Sequence, residues 1–219
     1  MWKGKIFFQF LFSYIMVMLI PITVSAVAYN NTVKIVEYET QEASLSTLEH
    51  CMVILDRRLA EVDNIVTQLS LNTEVLSFSK KTSPYIDLTL PYRINKLQQE
   101  VAALTFGNDF IEMLCVYFKK PDVIISDTHS FLSSSQFYDV FVKYGDMSIS
   151  EWRDIVLDNE NLNGYFPATT TRIGFEGDIK NLIIEPMLMY IRSFPAPTSN
   201  CGKIIIFIPA SRIRELFLD

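Results

Sequence analysis

Basic residues are scarce in this chain: 19 Lys and Arg stand against 25 Asp and Glu, a formal net charge of −6 over 219 residues. A surface that grips nucleic acid must displace counterions from phosphates with clustered cations. No nucleic acid is therefore expected to bind this segment. Histidine is scarcer still, with only His50 and His129. No HExxH, GxSxG or P-loop pattern is present, so zinc-protease, serine-hydrolase and nucleotide-phosphate chemistry have no footing. Asp127-Thr128-His129-Ser130 collects residue types found in catalytic triads. A triad is an arrangement in space, however, and neighbours in sequence rarely supply it. Gly174-Phe175-Glu176-Gly177 is too short for a dinucleotide fingerprint and reads as loop. The three cysteines, Cys51, Cys115 and Cys201, are odd in number and lack zinc-ligand spacing. A Cys115–Cys201 bridge in an oxidising compartment is one reading and buried free thiols are the other. The chain is expected to be no enzyme and to carry no cofactor and no metal.

Charge is absent altogether from Ile6 to Tyr29, a run of 24 residues. At about 1.5 Å per residue it is long enough for a hydrocarbon core of about 30 Å. Lys3 and Lys5 precede the run, and Glu37, Glu39 and Glu42 come after it. That asymmetry puts the N-terminus in the cytoplasm and the remainder outside the cell membrane, in a single-pass arrangement with lipid around the span. Pro21 is tolerated inside a spanning helix as a kink. Ala26-Val27-Ala28 also fits a signal-peptidase site. Anchor or signal peptide, the residues beyond Tyr29 are exported.

Glycine and proline are missing from Asn30 to Ser83. Within that stretch Leu45, Leu48, Met52, Leu55, Leu59, Val62, Val66 and Leu69 recur at alternating steps of three and four. Such spacing is an a/d seam, expected to pair with a second copy in a homodimer. Val53, Ile54 and Ile65 lie off the stripe, so the apolar surface is broader than a two-stranded seam needs. The flank is expected to meet the C-terminal domain.

Beyond Asn72 the pattern changes. Pro84 and Pro91 mark a break, and a helix is expected over Tyr92–Thr105. Runs at Phe110–Phe118 and Val123–Ser126 around Lys119–Asp122 predict a β-hairpin. Helices are expected over Ser134–Tyr144 and from Ser148, whose spacing to Glu151 is a capping box. Leu182–Phe194 and Lys203–Ile208 predict strands, with Pro186 confining the start of the first to an edge or bulge. Strands in hairpins with helices grouped around them predict an α+β domain with an antiparallel sheet.

The FSYIMVMLIP core of the span, with Leu55–Phe78 (LDRRLAEVDNIVTQLSLNTEVLSF), resembles the start of large Firmicutes AraC-family transcriptional regulators, best over roughly residues 5–80. Those proteins are membrane-bound, with an extracytoplasmic Cache-type sensor of PAS-like fold, a second span and a C-terminal helix-turn-helix pair. The resemblance implies a stub and span over 1–30, a signalling and dimerisation helix over 31–80 and a sensor from 81 to 219 that continues further. It implies DNA binding only through a downstream domain. Sensor histidine kinases begin similarly, and an anchored binding module without signalling output is a third reading. PAS-like sensors hold a small molecule against the sheet. Tyr117, Asp127, Trp152, Tyr190 and Arg192 are the candidate contacts with a small extracellular ligand, Arg192 as partner of a ligand carboxylate. The Trp-Tyr that comes after Tyr…Arg in amine-binding Cache domains is missing after Tyr92-Arg93.

Overall fold

The computed structural model describes residues 3–80, 89–159, 162–178, 180–195 and 201–217. Pro84 and most of the loop expected before Gly202 lie outside them. Two units divide the chain, 1–53 and 54–219.

Residues of the first unit belong to helix α1 (Lys3–Leu71), which contains Pro21. From Phe10 to His50 its side chains are exposed, and the helix is long and apolar enough to cross a membrane. Thr23 and Thr32 return their hydroxyls to backbone carbonyls one turn back, which hides their polarity within the helix.

In the second unit α1 ends at Leu71. Asn72 stops it and starts α2 (Thr73–Ser79), its side chain accepting the N–H groups of Glu74 and Val75. An Asn side chain favours such a cap because it satisfies donors that the first helical turn leaves open. Helix α3 (Leu90–Thr105) begins with Pro91, where a missing N–H costs nothing.

Among the described residues seven strands complete the unit: β1 (Met113–Phe118), β2 (Val123–Ser126), β3 (Ser130–Phe131), β4 (Val142–Tyr144), β5 (Gly164–Ile173), β6 (Ile183–Phe194) and β7 (Gly202–Pro209). They form one antiparallel sheet in the order β3-β2-β1-β7-β6-β5-β4. The expected hairpin and the two expected late strands are all present. Pro186 pairs with Thr170, and the β7 ladder begins one residue later at Met187. Its absent N–H therefore falls outside that ladder.

Both faces of the sheet are covered, so β1, β2 and β7 are buried along their whole length and read as apolar runs without alternation. The first core packs Leu114, Val116 and Phe118 of β1 and Ile204, Ile206 and Ile208 of β7 against α1, α2 and α3. Facing the other way are Met113, Cys115 and Tyr117 of β1, and Met187, Met189 and Ile191 of β6. This second core is closed by α4 (Ser134–Gln136) and α5 (Ile149–Trp152), each continued by a five-residue π-helical turn, Phe137–Phe141 and Arg153–Leu157. The capping box is formed, with Ser148 and Glu151 each bonded to the other's backbone N–H. Lys203, fully buried on β7, donates to Ser193 Oγ (2.7 Å) and to the carbonyl of Asn159 (2.6 Å), tying the segment before β5 to the sheet. Cys115 and Cys201 are free thiols.

Two expectations need correction, and one strand was missed. The helix expected over Ser134–Tyr144 ends at Phe141, and Val142–Tyr144 is strand β4, paired with β5. Strand β5 itself was not expected from the sequence. The a/d seam divides: Leu45, Leu48 and Met52 are exposed, whereas Val62, Val66 and Leu69 are fully buried in the first core with Leu55 and Leu59 against its margin. A side chain with no accessible surface cannot also face another subunit, so those three residues are core of their own domain.

Candidate functional site

At one end of the second core the sheet leaves a hollow. β2 stops at Ser126, whose hydroxyl oxygen accepts the N–H of His129 (2.9 Å) and of Thr128 (3.3 Å). The chain turns tightly there, and Asp127, whose own N–H donates to the carbonyl of Leu114 at 3.2 Å, is held at the rim of the sheet. From the other side β5 stops at Ile173. Gly174 has φ +122, and a Cβ at this residue would come within 2.8 Å of the Asn181 carbonyl oxygen. Only glycine lets the two arms of the β5–β6 connection approach this closely. The Gly174 N–H donates to Phe141 O (2.9 Å), which fixes the connection over the π-helical turn.

The result is a cavity of about 400 Å³, lined by Met113, Asp127, His129, Phe141, Phe175 and Ile183 among others. Ring centroids of His129 lie 4.8 Å from Phe141 and 5.3 Å from Phe175, and those two phenylalanines are 5.0 Å apart. One wall is thus aromatic. The other carries Asp127, whose Oδ1 is buried without a hydrogen-bond partner. Burial pushes its carboxyl up to about 6, with a smaller push from Glu112, while neighbouring backbone N–H groups pull it down. Buried polar atoms are normally satisfied, so an orphan carboxylate oxygen at a cavity wall marks a place where an incoming group can bond.

A second hollow of about 410 Å³ borders Tyr144, Phe166 and Pro167. The Tyr144 hydroxyl is taken by the Pro167 carbonyl at 2.6 Å, and none of the buried unpartnered side-chain atoms among the described residues lies there.

The five expected contact residues do not converge. Asp127 lines the cavity. Tyr117 and Trp152 are in the second core on the same face but away from it. Trp152 stacks on Tyr138 at 4.7 Å, and burial pushes the Tyr117 phenol up to about 12. Tyr190 and Arg192 project from the opposite face. Arg192 Nη1 donates to Asp63 Oδ1 of α1 at 2.7 Å, the Tyr190 hydroxyl to the same oxygen at 3.0 Å. The guanidinium expected to meet a ligand anion already has a carboxylate from its own chain. Sequence reasoning passed over Phe141 and Phe175, and weighed His129 only as part of a catalytic cluster. The Gly174-Phe175 step was visible only as loop, and nothing local shows that this loop folds over Asp127.

Neither a protein-family model nor a curated protein matches the chain. Solved structures do. It is similar to a domain of a Vibrio parahaemolyticus protein described as sensory box/GGDEF family, with a TM-score of 0.50 and 9% identity over 81% of this chain and 62% of that one. It is also similar to the extracellular domain of a protein described as a histidine kinase, vpHK1S-Z8, with a TM-score of 0.52 and 10% identity over 83% and 63% of the two chains. The sensory domain of the Campylobacter jejuni chemoreceptor Tlp3, solved with isoleucine bound, matches at a TM-score of 0.37 and 13% identity over 78% and 63%. The chain spans under two thirds of each of these structures. A long N-terminal helix leading into an antiparallel sheet with flanking helices is the PAS-like, Cache-type fold of sensory domains, and this chain has it.

Proposed function

We propose that this chain is the extracytoplasmic ligand-sensing part of a membrane-bound signalling protein and acts by binding, without chemistry of its own. The observation that carries the reading is the cavity with its unpaired carboxyl, on the sheet face opposite the one packed on α1. A small molecule from outside the cell occupies it. Because the sheet is a single layer, a ligand that favours one arrangement of the second core also favours one arrangement of the α1 contact. The shift it produces is limited by its difference in affinity for the two arrangements. The span anchors the protein in lipid, and the exposed Leu45, Leu48 and Met52 stripe pairs two copies.

The finer reading is a transcriptional regulator whose AraC-type helix-turn-helix lies downstream, supported by the resemblance over residues 5–80. A histidine kinase of the same architecture is the competing output. The test has two parts. A metabolite library is screened for thermal stabilisation of the full chain in detergent, and each hit is repeated on Ile183→Trp, which fills the cavity. Hits that survive Ile183→Trp place the ligand elsewhere and defeat the reading. The open reading frame beyond Asp219 then decides the output: a kinase domain there defeats the regulator.

A further inference from the structure

The lining of the cavity is unevenly charged. Glu112 ahead of β1, Asp127 behind β2 and Asp178 in the β5–β6 connection all reach it, against the single cation Lys180 among the described lining residues. Two of the acids have partners of their own. Arg212 Nη2 lies 2.7 Å from Glu112 Oε2, and Asn181 Nδ2 donates to Asp178 Oδ2 at 2.7 Å. Asp127 is the carboxyl left with a buried oxygen that nothing satisfies.

A desolvated carboxylate with an open lone pair favours whatever brings N–H donors and positive charge. The rings of His129, Phe141 and Phe175 stand within the same cavity, and aromatic faces attract cations and cover apolar skeletons. An anionic ligand would meet Asp127, Glu112 and Asp178 together. The arginine that would have served it, Arg192, is engaged with Asp63 on the other face. At about 400 Å³ the cavity lies near the small end of ligand pockets, which run from about 300 to 1,000 Å³.

We propose that the cavity holds a small protonated amine, its ammonium on Asp127 and its carbon skeleton against Phe141, Phe175 and Ile183. This inference rests on the cavity being the sensor's ligand site.

The test compares ligands that share a skeleton and differ in charge: 2-phenylethylammonium, 2-phenylethanol and 3-phenylpropionate, and the shorter series butylammonium, butanol and pentanoate. Titration calorimetry on the full chain in detergent, at a pH about 1.5 above the Asp127 value of about 6, reads each affinity. In at least one series the ammonium binds at least tenfold more tightly than the alcohol, and the carboxylate is weakest. Asp127→Asn removes that preference, bringing the ammonium's Kd to that of the alcohol in the same variant, and Asp127→Glu retains part of it. The wild-type comparison stands even if neither variant folds: the ammonium's advantage fades as pH falls below about 6, and the alcohol's affinity stays level. Alcohols or carboxylates that bind as well as the ammonium, and are lost in Ile183→Trp, overturn the amine while the sensor cavity survives. Binding of every probe undiminished by Ile183→Trp overturns both. Failure of both ammonium probes to bind at millimolar concentration overturns the amine.

Discussion

Replacing Asp127 by Asn should change how the stability of the empty protein depends on pH. The carboxyl moves from 3.8 when unfolded to about 6 when folded, because burial disfavours its charged form. The folded state therefore holds the proton more tightly than the unfolded one. That contribution to stability is fully present below about pH 4, is lost as pH rises through about 6, and is absent above. A pKa difference of about two corresponds to about 3 kcal/mol. Asp127 is only partly buried, so solvent screening cuts this to about 1.5 kcal/mol. Asn has nearly the same shape and no proton to bind. Wild type minus Asp127→Asn should thus fall by about 1.5 kcal/mol between pH 4 and pH 7, or by about 3–6 °C in melting temperature for a unit of this size. Glu74 and Glu151, each lowered by a hydrogen-bonded partner, work in the opposite direction, Glu74 through Lys96 and Glu151 through Ser148. They are common to both proteins and cancel in the difference. Glu112, His129, Asp178 and Lys180 line the same cavity in both proteins, and the Cys115 thiol, pushed up by burial and then by Asp127, stays protonated across this pH range. Melts of both proteins at closely spaced pH values check the result. Parallel curves, or a difference that grows with pH, would show that Asp127 is solvated and that the cavity has no unpaired charge.

Gly202→Ala should cost at least about 3 kcal/mol in thermal denaturation, because its Cβ would overlap the Tyr117 carbonyl oxygen and sit 2.8 Å from the Phe194 ring. Gly107→Ala, with open space around it but φ +78, should cost only about 1 kcal/mol in the same assay. Trp152→Ala removes a fully buried, stacked ring and should lower stability by about 3–5 kcal/mol, measured by the same melts. Leu45→Asn with Leu48→Asn should reduce intersubunit crosslinking of the anchored chain without shifting the melting temperature of the sheet domain, since both side chains are exposed. An unchanged crosslinking yield would remove the stripe as an interface. A double-mutant cycle on Asp63→Asn and Arg192→Gln should give a coupling of about 0.5–1 kcal/mol, the modest value expected when both side chains keep access to water.

Elements with strong local signals were legible in the sequence. The β1–β2 hairpin has two apolar runs about a four-residue turn, and α3 and the Ser148 capping box carry their own boundaries. Strand β5 was not, for a physical reason. It lies between β4 and β6 with a bulge between Phe166 and Thr169, and most of its residues are partly or fully exposed. Its sequence therefore has neither an apolar run nor clean alternation, only three threonines and a proline. The seam was half legible: the three-four spacing marks a buried stripe on α1 but does not say what buries it, and for Val62, Val66 and Leu69 the answer is the sheet of their own domain. The site was least legible. Asp127 is a strand-end carboxylate on sight, but its neighbour Phe175 arrives through the register of β5 with β6, which is a property of the folded chain. Arg192 and Asp63 are 129 residues apart, and no local pattern joins them.

The pairing of Arg192 with Asp63 has a bearing on how the sheet assembles correctly. Strand β6 is nearly symmetric in its apolar content: Met187, Met189 and Ile191 point one way, Leu188 and Tyr190 the other. Hydrophobicity alone would tolerate a slip against β7 almost as well as the native alignment. A slip of one residue turns every side chain to the opposite face. It would drive the Arg192 guanidinium into the second core, among Tyr117, Ile205 and Phe207, and leave Asp63 facing Ile191. A charge buried without a counterion is among the costliest errors a fold can make. An ion pair that adds little to the depth of the native state can thus exclude its nearest competitor, acting as an indexing mark for the strand that separates the cavity from the helix.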